Sequence, residues 1–299
     1  MPEEIMWERT LHQRISPRTL AVADDCIVTH ARRSRLVCLG RWDGAVRWDV
    51  PFGLWPRSVV VAGDRCLGIA QNIDMLICWD LRTGAVLWNA DLPRFTGHIV
   101  ATGDTVLAGG WRGYTALMAF DLATGQPRWN TDGAQNTVLP QPGGDTVLIG
   151  ENQGRDVSLA SLHDGKELAC WKLPEPLTTT DCGAIFAQAD ADRLFVRCGR
   201  RTVAEIRLDT GNIRVLRHHD TDLAPTAAQY SGGLLWLREA RGYAAVDPTD
   251  GSLRWRVDIR QRLAENVVST RSGFLIGGDQ GTLLAMRIQA GRTSEGYAA

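Results

Sequence analysis

His218 and His219 are followed directly by Asp220, Thr221 and Asp222. Imidazole and carboxylate ligands in this combination are what zinc, nickel or iron sites use. Consecutive side chains on a strand point to opposite faces, so no more than one of these histidines faces a given ion. A solvated strand end is the plainer reading, and neither a metal nor a cofactor is expected. Glu151 and Glu239 fall in corresponding loops of different repeats. Aimed at a common point they would supply paired carboxylates for acid–base work. With His98, Asn152 and Arg155 they make the candidate catalytic set.

A second group suits binding. Trp55, Phe95, Trp111, Arg112, Tyr114, Asn136, Asn152, Arg155, Arg201, Arg241 and Arg260 all lie in or beside polar loops. Aromatic plus arginine is the composition of interface hot spots. Arginine in a loop is solvated by default, so the aromatics carry more weight. The chain has no G-x-S-x-G, no phosphate-binding loop and no dinucleotide fingerprint.

What positions these residues is a repeat. Gly44, Gly84, Gly125, Gly165, Gly211, Gly251 and Gly291 recur at steps of 40, 41, 40, 46, 40 and 40 residues. A period near 40 with strand-like flanks marks a β-propeller, each repeat being one unit that cannot bury its own apolar faces. The clearest copies are CLGRWDGAVRW (38–48), CWDLRTGAVLW (78–88), AFDLATGQPRW (119–129) and AVDPTDGSLRW (245–255). Asp or Thr followed by Gly makes a tight hairpin turn. Trp48, Trp88, Trp129 and Trp255 stand four residues after it, where each can wedge between neighbouring blades. In the weaker copies Trp171 comes two residues late and Val215 takes the tryptophan position. The last repeat lacks a fourth strand. EIMWERTL (4–11) supplies it, with Trp7 in the interblade place, and closure removes the exposed sheet edge.

The expected fold is therefore all-β: a seven-bladed β-propeller of four antiparallel strands per blade. It forms one domain over 1–291, with 4–11 as the closing strand and 292–299 as a polar tail. The six extra residues of the long repeat fall around PEPLTTTD (174–181), and insertions in repeat proteins tend to mark the binding side.

The chain carries a net charge of −1, which gives no general attraction to nucleic acid or anionic membrane. Its N-terminus, MPEEIMWERTL, has no apolar stretch of the kind a leader carries. The seven cysteines are scattered without a C-x-x-C pair, mostly inside apolar runs. These features predict a cytoplasmic protein that contacts neither nucleic acid nor membrane.

The D-x-x-T/D-G-x-x-x-W pattern resembles the pyrroloquinoline-quinone-type repeat propellers, a family that includes the bacterial outer-membrane barrel-assembly lipoprotein. The resemblance covers nearly the whole chain. It implies the propeller fold and says little of function. The quinoprotein dehydrogenases of that group are longer, exported and calcium-binding, with adjacent cysteines at the cofactor. None of these features is found here, so quinone-dependent dehydrogenation is not expected. The barrel-assembly lipoprotein has an export signal, a lipidation cysteine and eight repeats, where this chain shows seven. The expectation is a non-catalytic binding or scaffold propeller that recognises a protein segment or small ligand on the face carrying the interblade loops and channel mouth. The alternative is a lyase, cyclase or hydrolase with its site at that mouth.

Overall fold

A computed structural model describes residues 4–11, 19–31, 34–70, 72–109, 116–134, 137–140, 145–150, 154–177, 186–188, 192–223, 229–231, 233–239, 242–258, 263–270, 273–278 and 282–287. The described elements are strands, ordered in four-stranded antiparallel sheets. The first sheet runs β2 (Leu20–Val22), β3 (Cys26–Ala31), β4 (Arg35–Gly40), β5 (Val46–Pro51). The next runs β6 (Pro56–Ala62), β7 (Arg65–Ala70), β8 (Met75–Asp80), β9 (Val86–Asp91). The same order holds for β10 (His98–Thr102), β11 (Thr105–Gly109), β12 (Ala116–Asp121) and β13 (Pro127–Ala134). It holds for β14 (Thr137–Pro140), β15 (Thr146–Gly150), β16 (Asp156–Ser161) and β17 (Glu167–Lys172). Then come β18 (Phe186–Gln188), β19 (Arg193–Cys198), β20 (Thr202–Arg207) and β21 (Ile213–His218). They are followed by β22 (Gln229–Ser231), β23 (Leu234–Glu239), β24 (Gly242–Val246) and β25 (Leu253–Asp258). The last sheet joins β26 (Leu263–Thr270), β27 (Gly273–Gly278) and β28 (Thr282–Arg287) to β1 (Glu4–Thr10) at its outer edge.

The N-terminal segment thus completes the C-terminal sheet, as its sequence predicts. Trp7 pairs with Ala285 in the register in which Trp255 pairs with Ala245 and Trp129 with Ala119. First strands lie side by side from sheet to sheet: β2 with β6, β6 with β10, β10 with β14, β18 with β22, β22 with β26 and β26 with β2. A buried cluster of Leu148, Val157, Leu173, Leu177, Leu194 and Val196 joins the sheet of β14–β17 to that of β18–β21.

The turn between the third and fourth strands follows from its residues. Asp80 Oδ1 accepts from Thr83 N at 2.7 Å and from Thr83 Oγ1 at 2.6 Å, and Gly84 N donates to Asp80 O at 2.9 Å. Asp121 and Thr124 repeat this arrangement at 2.8 and 2.9 Å. Gly84 sits at φ 74°, a conformation that strongly favours glycine. It has a second reason to be glycine: a Cβ there would stand 3.0 Å from the Trp48 ring of the preceding sheet. The same packing places Gly125 on Trp88 and Gly165 on Trp129. Each indole also donates across the interface: Trp48 Nε1 to Leu81 O at 2.7 Å, Trp88 to Leu122 O at 3.0 Å and Trp129 to Leu162 O at 2.7 Å. Trp171, two residues further along its strand and so on the same face, presents its Nε1 edge to Gly211.

The core lies between the sheets. Every residue of β3 is buried, whereas the outer strands β9 and β17 are exposed or half-buried throughout. Among the described cysteines, Cys26, Cys38, Cys66, Cys78 and Cys198 are buried free thiols, while Cys170 is exposed; Cys182 lies outside the described residues.

Candidate functional site

The loops from a fourth strand to the next first strand share one face with the loops from second to third strands. Backbone bonds define equivalent positions on that face. Phe52 N donates to Ser34 O, Leu92 N to Asp74 O, Leu173 N to Arg155 O and His219 N to Arg201 O. Each of these four residues follows an outer strand and is buried. Three are apolar. The fourth is His219, 3% exposed.

The imidazole of His219 is held from both sides. Arg217 Nε donates to Nδ1 at 3.2 Å, so the ring proton sits on Nε2. Nε2 donates to Glu239 Oε1 at 2.5 Å. The same oxygen accepts from Arg256 Nη2 at 2.7 Å and from Thr221 Oγ1 at 3.3 Å. Arg256 Nη2 also donates to Asp220 Oδ1 at 2.6 Å and holds that carboxyl at about 2, below its usual range. His219, Asp220 and Glu239 bring three ligand atoms within 4.8 Å of one another, close enough to share an ion. Arg256 already bonds both carboxylates there, so a cation would have to displace a guanidinium. The arrangement is an ion-paired network over a buried histidine.

His218 faces the other way, as strand alternation requires. Its Nδ1 lies 3.0 Å from Thr202 Oγ1, and that hydroxyl donates to Glu175 Oε1. Arg200 Nη2 pairs with Asp222 Oδ2, and Arg201 Nε with Asp222 Oδ1 at 2.6 Å. The Arg201 bond, helped by Arg200, lowers the Asp222 carboxyl below its ordinary value. These residues and Gly199 line an open cleft of about 550 Å³. Glu175 enters it from the loop that carries the long repeat's insertion.

Two aromatics mark other loops of this face. Trp55 is 67% exposed and Phe95 is 38% exposed, 40 residues apart. Trp55 has φ 53° and Phe95 φ 71°; with Asp74 they are the non-glycine residues at positive φ among those described. Arg94 lies over the Phe95 ring at 5.1 Å, and the Thr96 hydroxyl donates to Pro93 O at 2.8 Å to close the turn.

The other expected site residues divide by what the structure describes. Arg201 lines the cleft, and Arg155 is exposed at the entry to β16. His98 opens β10, its side chain outside the described set. Glu151, Trp111, Arg112, Tyr114, Asn136, Asn152, Arg241 and Arg260 lie outside the described residues. Glu239 is committed to His219, Arg256 and Thr221. Sequence reasoning named Glu239 and the His218–Asp222 run separately and did not bring them together. It passed over Arg256, Glu175 and Thr202. The histidine standing where other repeats carry Phe or Leu was the signal available.

The family model described as Outer membrane protein assembly factor BamB matches residues 73–231, just over half of the chain. The chain belongs to that family. No curated protein matches it. Among solved structures it is similar to BamB from Moraxella catarrhalis, with TM-score 0.64 and 16% identity over 96% of this chain and 100% of that one. It is similar to the computationally designed Ika8 protein, with TM-score 0.66 and 15% identity over 96% and 100%. It is also similar to the WD40 β-propeller domain of Doa1, with TM-score 0.70 and 11% identity over 97% and 98%. At these identities the likeness is one of fold alone, that of a β-propeller.

Proposed function

We propose that this member of the BamB family is a binding propeller whose interblade-loop face docks a protein segment through Trp55 and Phe95. One observation carries the reading: bulky aromatics stand exposed, in a backbone conformation that side chains avoid, at corresponding points of successive repeats. A left-handed non-glycine residue costs on the order of 1 kcal/mol. Neither exposure nor strain serves the fold, while aromatic anchors do serve an interface. The family is described by an assembly factor, and assembly is work done on other proteins. That favours a protein segment as occupant. On this reading the sheets close as a seven-bladed ring forming a single unit over 1–291, with 292–299 as a tail. Its buried free thiols suit a reducing cytoplasm.

The test is quantitative capture from native lysate with wild-type protein and the Trp55→Ser, Phe95→Ser double variant. A partner held by the wild type and lost from the folded variant supports the docking face. Identical captures overturn it.

A further inference from the structure

We propose that the cleft over β20 and β21 is a binding site for a small oxyanion-bearing molecule, a carboxylate or phosphate with a hydroxyl beside it. Arg200 and Arg201 hold the anion, and His218 Nε2 accepts from the hydroxyl. This site is separate from the aromatic loops, and its ligand is a small molecule.

The first argument is a proton count. A threonine hydroxyl has one proton. Thr202, itself 1% exposed, donates that proton to Glu175 Oε1. Toward His218 it can therefore only accept, so the Nδ1 atom 3.0 Å away carries the ring hydrogen. In neutral His218 this leaves Nε2 bare, on an exposed side chain that lines the cleft. A carboxylate, a hydroxyl and an imidazole thus fix one tautomer and turn a lone pair outward, as an oriented base or acceptor requires. His219, the next residue, has the opposite tautomer: its Nδ1 accepts and its Nε2 donates.

The second argument is charge and donor geometry. Each guanidinium has five N–H donors. Arg200 gives Nη2 and Arg201 gives Nε to Asp222. Their side chains are 81% and 57% exposed, so their remaining donors face solvent at the cleft. Asp222 anchors two arginines with one carboxylate, which orders them without cancelling them. Arg197, buried nearby within electrostatic reach of Asp222 and Arg200, adds a third positive charge against Asp222 and Glu175. The local surplus is positive on a chain whose net charge is −1. Guanidinium forks match carboxylate and phosphate oxygens. A cleft of about 550 Å³ is of small-molecule size, and Glu175, at its rim, comes from the loop that lengthens one repeat by six residues.

The experiment is a nitrogen-15 NMR titration of the full chain with inorganic phosphate, glycerate and propionate, the last lacking the hydroxyls. The free protein should show His218 protonated at Nδ1 and bare at Nε2. Phosphate and glycerate should give saturable shifts of His218 and of the arginine Nε–H signals by about 10 mM. Glycerate should bind about fivefold more tightly than propionate, the size of one hydrogen bond. Arg200→Gln with Arg201→Gln should weaken every anion about tenfold or more, because charge-assisted bonds are lost. Both positions are exposed, so the fold should survive. His218→Phe should abolish the preference for glycerate while leaving phosphate binding in place. Absence of saturation, equal binding by the double arginine variant, or the reverse tautomer in the free protein would each overturn the proposal.

Discussion

Trp7 Nε1 donates to Arg41 O at 2.8 Å, and the Trp7 ring lies 2.9 Å from where a Cβ on Gly44 would stand. The same relationship joins Trp48 to Leu81 and Gly84, and Trp88 to Leu122 and Gly125. Trp7 belongs to the first strand of the chain and pairs with the last. Its indole therefore ties the C-terminal sheet to the first hairpin with the device used inside the repeat. Arg9 adds a bond from Nη1 to Gly44 O at 2.7 Å.

Trp7→Ala should accordingly behave as an interblade deletion, although Trp7 lies near the chain terminus. Losing a half-buried indole and its hydrogen bond costs about 3 kcal/mol. The urea midpoint should fall clearly, by as much as for Trp88→Ala. A loss below about 1 kcal/mol would mean that β1 does not tie the C-terminal sheet to the first hairpin.

The turn glycines separate two effects. Gly125 (φ 73°) and Gly63 (φ 58°) both adopt the left-handed conformation. A Cβ on Gly125 would stand 2.5 Å from Trp88, whereas nothing lies within 4 Å of one on Gly63. Gly63→Ala should cost about 1 kcal/mol, the backbone strain alone. Gly125→Ala should cost at least twice that, because the indole must move as well. Equal costs in urea unfolding would remove packing as the reason for the conserved spacing of turn and tryptophan within this chain.

The repeat was legible because its parts are local. Asp, Thr and Gly dictate the turn, and Trp four residues on lands on a fixed strand position whatever the rest of the sheet does. Trp7 could be matched to Trp48 by its neighbours alone. The site was legible only in fragments. Glu239 ends β23 and His219 follows β21, 20 residues earlier, and nothing in either segment encodes their 2.5 Å contact. Arg256 looks in sequence like the other outer-strand arginines, such as Arg254, which pairs with Asp247 in its own turn. In the Glu175–Thr202–His218 chain, Thr202 and His218 are cross-strand partners at the ends of β20 and β21, and Glu175 reaches them from the loop after β17, a contact the sequence does not encode.

Arg128 gives a pH dependence whose sign is fixed. Its guanidinium bonds Asp104 and Asp121 and holds both carboxyls at about 2, against an ordinary 3.8. A depressed folded-state value contributes stability above the unfolded value, and this is lost as pH falls through about 2. Arg128→Gln should therefore lower the urea midpoint at about pH 7, and the two curves should converge toward about pH 2. A difference that persists undiminished in acid would show that Arg128 acts through packing of its stem.

Trp55 tests whether strain has been retained for binding. Trp55→Gly removes an exposed ring and a positive-φ penalty together, so stability should hold or rise by up to about 1 kcal/mol while docking is lost. A fall of more than about 1 kcal/mol in urea unfolding would make Trp55 a packing residue.

His219 can be replaced by the residue its position carries elsewhere. In His219→Leu, Glu239 keeps Arg256 at 2.7 Å and Thr221 at 3.3 Å, so its charge remains compensated. The two lost bonds, with Glu239 and with Arg217 at about 1 kcal/mol each, are largely offset by burying a leucine as Leu92 and Leu173 are buried. The net change should stay within about 1 kcal/mol. Arg256→Leu should cost more, about 2 kcal/mol, because it leaves Glu239 and Asp220 facing each other without their cation; its side chain is 36% exposed, which keeps the loss below that of a fully buried pair. Urea unfolding of the two variants gives the order directly. If His219→Leu were the more damaging, the imidazole rather than the guanidinium would organise the network, and His219 would stand as the residue around which this face is built.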